Sequence, residues 1–152
     1  MAGLMSRNKG KQGEREIAML MRAIMVRACM DAGMSREQAE DCGKKIKRNT
    51  LQSDGGGYDL TCPGLAVEVK RQETLKIKEW WQQAVEQAKD GEVPVLLWRQ
   101  NRGQWRCMMY VWIPVDGKIG GSRPAEIAFD DFKWWLYWRL RAWAQGKAEG
   151  LA

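Results

Sequence analysis

The chain has 152 residues, 45% of them hydrophobic and 29% charged, which suits one globular domain with a single core and excludes a disordered tail. Lysine and arginine (25) outnumber aspartate and glutamate (19), and the net charge of +6 favours a polyanionic partner, nucleic acid above all. Histidine is absent, so His-dependent triads, histidine metal sites and histidine general bases are excluded, leaving carboxylates, lysine, tyrosine or a thiol for any catalysis.

The start, "MAGLMSRNKGKQGERE", turns charged too early for a signal peptide, and residues 1–10 read as a mobile basic arm ending near Arg7, Lys9 and Lys11. From Gln12 to about Met30, the apolar positions Ile17, Leu20, Met21, Ile24 and Ala28 recur at helical spacing until Gly33 breaks the pattern. Ser35 starts a second helix, with Gln38 completing a capping box, and this helix is expected to end in the basic run "KKIKRN". A hairpin follows: a strand over Tyr58–Cys62, a Pro63-Gly64 turn, and a strand over Leu65–Arg71. Residues 76–90 predict a helix, 93–99 and 104–113 two strands joined by the turn-like "QNRG", and 125–129 a short further strand. The aromatic run "DDFKWWLYWRLRAWAQ" predicts a last helix closing near Gly146.

These elements give an α/β class, a mixed central sheet flanked by helices, in one domain spanning 1–152. No apolar run reaches the ~18–20 residues of a membrane span, and a cytoplasmic protein is expected. Cys29, Cys42, Cys62 and Cys107 form no C-x-x-C pair, which points to free thiols in a reducing compartment and away from zinc.

In the second strand of the hairpin, Val67 and Val69 alternate with Glu68 and Lys70, so one face is apolar and the other carries both charges. If the two strands pair, Asp59 can lie beside Glu68. Two carboxylates with backbone and water oxygens are what Mg²⁺ prefers, and Lys70 on the same face can position a water or stabilise a phosphorane-like transition state. The alternative is a solvated surface strand with a Glu/Lys pair, and the triplet alone leaves both open.

"GYDL" followed by "VEVK" resembles the D…(D/E)-x-K signature of the PD-(D/E)XK nuclease superfamily, with Tyr58 standing where proline is usual. "RNKGKQGEREIA" resembles the opening K-G-x-x-x-E-R of archaeal-type Holliday junction resolvases and related phage nucleases. The resemblance covers roughly residues 7 to 113 and implies a restriction-endonuclease-like core. It implies that Glu14 joins Asp59 and Glu68 at the metal, with Glu16 as competitor, and that the Val69 carbonyl is a further ligand. It also implies a glutamine near the site, Gln83 in first place and Gln87 one turn on, and it matches Ser53 weakly to a serine before the aspartate. The cofactor implied is Mg²⁺, with Mn²⁺ able to substitute. The substrate is DNA, branched or four-way, and symmetrical cutting implies a homodimer. A nickase, a repair, restriction or packaging nuclease, and an inactive DNA-binding protein of the same fold are the alternatives.

Phosphate contacts are expected from Arg7, Lys9, Lys11, Arg15, Lys44, Lys45, Lys47, Arg48 and Arg71, with Arg99, Arg102 and Arg106 adding to the surface. Gly55, Gly56 and Gly57 would let a DNA backbone approach the metal. The Trp-rich last helix is apolar on nearly all sides, which favours core or dimer packing; the alternative is a stacking platform for unpaired bases, with Arg139 and Arg141 on phosphates.

Overall fold

A computed structural model describes residues 2–49 and 58–150. Ten elements follow in order: α1 (Ala2–Asp31), α2 (Arg36–Gly43), β1 (Lys47–Arg48), β2 (Leu60–Cys62), β3 (Leu65–Arg71), α3 (Ile77–Gln87), β4 (Val93–Arg99), β5 (Arg106–Val115), β6 (Lys118–Ile127) and α4 (Phe129–Gly150). The strands form one six-stranded sheet in the order β1-β2-β3-β4-β5-β6. Only β3 and β4 are parallel, joined by the α3 crossover, and every other neighbouring pair is antiparallel. The expected α/β class with a mixed central sheet is the observed one.

One sheet face carries the main core. Ile17, Met21, Met25 and Ala28 of α1 and Phe132, Leu136, Leu140 and Ala144 of α4 pack against Leu65, Val67 and Val69 of β3, Val95 and Leu97 of β4, and Cys107 and Met109 of β5. Spacings of three and four on the helices and of two on the strands put these side chains on single faces. The other face is covered by α3, where Trp80 meets Leu96 and Trp98, with Trp81 and Met108 at the margin. Alternation along β3 therefore turns Glu68 and Lys70 toward the α3 side, away from the main core.

Several expectations are corrected. The segment 1–10 is helical from Ala2 on and no separate arm, so its cations ride on the first turns of a 30-residue helix. The second helix begins as expected, with Ser35 Oγ accepting from Gln38 N at 3.2 Å and Gln38 Oε1 accepting from Ser35 N at 3.0 Å, but it stops at Gly43. Its basic continuation becomes edge strand β1, because Ile46 is drawn into the core and its carbonyl accepts from Arg22 Nε at 2.6 Å, while Thr61 Oγ1 bonds the Lys45 carbonyl at 2.7 Å. The predicted strand 58–62 begins at Leu60, and the predicted 104–113 runs Arg106–Val115. The short strand expected at 125–129 is the 10-residue β6, because pairing with β5 overrides the poor strand propensity of Gly120, Gly121 and Pro124. Helix α4 is not buried all round, since Trp134 and Trp138 are exposed. Ser53 and the glycines at 55–57 lie outside the described residues.

Candidate active site

The hairpin β2–β3 turns at Pro63-Gly64, where Gly64 has φ +74°, a value that favours glycine. Its register pairs Leu60 with Val67, so Asp59 stands one step further on, opposite Glu68. Two bonds fix it there: Asp59 N donates to the Val67 carbonyl at 2.9 Å, and Asp59 Oδ2 accepts from Val69 N at 2.8 Å. From the other side, Asn49 N donates to the Asp59 carbonyl at 2.9 Å. The aspartate is thus held by backbone groups of β3 and by the chain leaving β1.

Glu68 is 1% exposed and Asp59 8%, the two buried charged or polar residues among those described. Lys70 Nζ lies 2.7 Å from Glu68 Oε1, while Glu68 Oε2 is buried with no hydrogen-bond partner. Burial, then the neighbouring Asp59 charge, push the Glu68 carboxyl up from 4.5 to about 7, against the pull of Lys70. Lys70 alone does not offset the burial and the Asp59 charge. The orphaned Oε2 and the facing Asp59 make the pair fit a hard cation, which takes oxygen ligands and removes the repulsion.

The structure brings Asp59, Glu68 and Lys70 together. It does not bring Glu14 into a third position, for among the described residues no group of three or more acidic or thiol side chains is close enough to share a metal. Glu14 Oε2 instead pairs with Arg48 Nε at 2.7 Å, one residue from the Asn49 that holds Asp59. Gln83 and Gln87 are half-buried on the side of α3 that carries Trp80 and Ala84, facing the sheet, and Gln87 Oε1 is buried without a partner. Because α3 runs back against the direction of β3, Gln83 lies nearer the Lys70 end than Gln87 does. Three of the four thiols offer no rival nucleophile: burial raises Cys29 and Cys62 to about 12, and Cys107 is raised too.

Of the expected phosphate contacts, Arg7, Lys11, Arg15, Lys44, Lys45 and Lys47 are exposed and Lys9 is half-buried. Lys44 pairs with Asp41 at 3.0 Å. Arg71 is turned inward and bonds Glu16 at 3.3 Å.

That last contact belongs to a cluster that pattern reading missed. Glu16 accepts from Arg71 at 3.3 Å, Arg99 at 3.1 Å and Trp105 Nε1 at 3.2 Å, so one carboxylate of α1 ties down the ends of β3 and β4 and the entrance to β5. Gly13 lets α1 come close there, since a Cβ on it would meet Trp105 Cη2 at 3.2 Å and Arg71 Cβ at 3.3 Å. The only signal in the sequence was Glu16 as a competitor to Glu14, and its three partners are each more than fifty residues away.

The family model for phage putative PDDEXK endonuclease matches residues 5–122, a stretch that includes Glu14, Asp59, Glu68 and Lys70. The chain belongs to this family. No curated protein and no solved structure matches it. It is accordingly a nuclease of the PD-(D/E)XK type. Nucleases of this type act with divalent metals, in keeping with the orphaned Glu68 oxygen. None of the described helices is long and apolar enough to cross a membrane.

Proposed function

We propose that the protein is a Mg²⁺-dependent endodeoxyribonuclease that cuts branched DNA in the manner of Holliday junction resolvases. The observation that carries the hydrolytic reading is the buried Asp59–Glu68 pair with Lys70 on Glu68 Oε1 and nothing on Oε2. Branched DNA is favoured by the K-G-x-x-x-E-R opening at Lys9 to Arg15, followed in order by Asp59 and Glu68-x-Lys70.

Asp59 and Glu68 would hold Mg²⁺, or Mn²⁺ in its place, with the Val69 carbonyl beside them and Glu14 released from Arg48 as a further carboxylate. A divalent cation supplies charge neutralisation at a phosphodiester and lowers the pKa of a bound water. Lys70 directs its ammonium at the attacking oxygen or at the charge that grows on the phosphate. Gln83 orients the same nucleophile from α3. Arg7, Lys9, Lys11, Arg15, Lys44, Lys45, Lys47 and Arg48 take phosphates without reading sequence, and a homodimer gives two sites for two strands.

The test uses a four-way junction, a flap, a matched duplex and single-stranded DNA, each with Mg²⁺ or with EDTA. Cleavage of the junction in Mg²⁺ alone is expected, while Lys70→Ala and Asp59→Asn bind it and cut at least about 10²-fold more slowly. No cleavage of any substrate in Mg²⁺ or Mn²⁺ overturns the enzyme. Duplex cut as readily as junction overturns only the junction, leaving a nickase, repair or restriction-type nuclease.

A further inference from the structure

Helix α4 has two unlike sides. Phe132, Leu136, Leu140 and Ala144 enter the core, while Trp134 and Trp138, one turn apart, are 66% and 48% exposed. With Pro63, Gly64, Trp135 and Arg139 these two line a groove of about 580 Å³ between the helix and the β2–β3 turn. Exposed indoles at helical spacing are costly to leave in water, so their positions call for an occupant.

Cations are interleaved with the rings. Arg139 lies 5.5 Å from the Trp135 ring, Arg141 5.3 Å from Trp138 and Lys147 5.0 Å from Trp143. Lys133 is paired with Asp130, but among the described residues Arg139, Arg141 and Lys147 have no carboxylate at ion-pair distance. Trp134 is 66% exposed, with no aromatic or cation–π contact among the described residues, whereas Trp138 already has Arg141 over its ring.

This charge decides between occupants. A second copy docked about a two-fold axis would set the cations of α4 against their own equivalents. An apolar protein partner would strip water from three cations and return nothing. A membrane surface asks for a wide apolar face, whereas Asp131, Ala142 and Gln145 share the exposed side with the two indoles. A polyanion with flat rings satisfies both features at once, with bases on the indoles and phosphates on the guanidiniums. Paired bases present no free face, so the strand must be single.

We propose that the outer side of α4, with Trp134 and Trp138 as stackers and Arg139 and Arg141 as phosphate contacts, is a platform for single-stranded nucleic acid. The choice of nucleic acid rests on the nuclease reading. Gly64 lies four steps before Glu68 along the chain, about 13 Å when extended. Helix α4 covers one face of the sheet and Glu68 points to the other, so a strand held in the groove reaches the carboxylate pair only by passing round the sheet. The preferred substrates then carry an unpaired stretch at a distance from the bond that is cut.

Binding is measured in EDTA, with no hydrolysis, by fluorescence anisotropy of a labelled oligo-dT of about 16 nucleotides and of a duplex of equal length. Trp134→Ala/Trp138→Ala is expected to weaken oligo-dT binding about tenfold or more and to leave the duplex unchanged, with Trp134→Phe/Trp138→Phe restoring most of the loss. Arg139→Gln/Arg141→Gln lowers the slope of log K against log salt by about 1. Unchanged binding by the alanine variant, or equal loss on duplex, overturns the platform. So does a loss that tracks dissociation of a dimer in light scattering, which assigns the face to a second copy, or a loss confined to cosedimentation with phosphatidylserine vesicles. Duplex and junction cleavage in Mg²⁺ is scored separately, so failure of the hydrolytic reading and failure of the platform are told apart.

Discussion

Glu68 holds its proton more tightly in the folded protein than in the unfolded chain, about 7 against 4.5. Its contribution to stability is therefore complete below about pH 4.5 and is lost as pH rises through about 7. In EDTA the wild-type protein should melt lower at pH 8 than at pH 5 on account of this group, and Glu68→Gln should remove that part of the loss. At pH 8 the variant is expected to melt on the order of 5 °C above wild type. Adding Mg²⁺ at pH 8 should raise the wild-type midpoint and leave the Glu68→Gln midpoint where it was. A wild type and variant with the same pH response would show that burial and the Asp59 charge do not raise the Glu68 carboxyl. The Asp59–Glu68–Lys70 trio was readable in advance, because strand alternation and a two-residue turn fix which side chains meet. That Oε2 of Glu68 has no partner was not, since it depends on what α3 brings over the sheet.

At the scale of elements, the seating of α1 on the sheet ends is the most exacting contact. Gly13→Leu forces a side chain between Trp105 and Arg71 and should cost about 1–3 kcal/mol. Gly10→Ala, where a Cβ meets nothing within 4 Å, should instead stabilise by about 0.5–1 kcal/mol through helix propensity. Urea denaturation of the two variants reads both, and a Gly13→Leu protein as stable as wild type would mean that α1 stands further off. Glu16→Ala leaves Arg71 and Arg99 sharing no carboxylate, and partial exposure limits the expected cost to about 1–2 kcal/mol. The long periodic helices and the runs Leu65–Arg71 and Val93–Arg99 could be read from residue pattern alone. The departures share a cause in contacts distant along the chain. Lys47–Arg48 became a strand because β2 offered partners, and β6 reached ten residues because β5 did. The aromatic helix misled in a different way, since periodicity finds the core side of Phe132, Leu136 and Leu140 but cannot tell that Trp134 and Trp138 meet no second layer.

Across the whole molecule, the cations of the first turns of α1 lie on a helix continuous with the one that enters the core. Arg7, Lys9 and Lys11 sit on the same helix as Glu14, whose Arg48 partner adjoins the β2 entrance, so phosphates bound there, as proposed, would keep a set offset from Asp59. Replacing the three by glutamine should lower the salt slope of duplex binding by about 2–3 and weaken every DNA shape alike. An unchanged slope in a filter-binding titration would remove these residues from the interface.

The two margins of the sheet carry a consequence for assembly. One is β1, a strand of only two residues; the other is β6, which bears Lys118, Arg123, two adjacent glycines and Pro124. Proline has no N–H to offer a neighbour, and buried lysine or arginine at a strand junction is prohibitive. Both margins are poor templates for a continuous sheet between copies. Among the described residues these features disfavour ribbon-like self-association, even though the β5–β6 hairpin displays Trp112, Ile113 and Val115 to solvent.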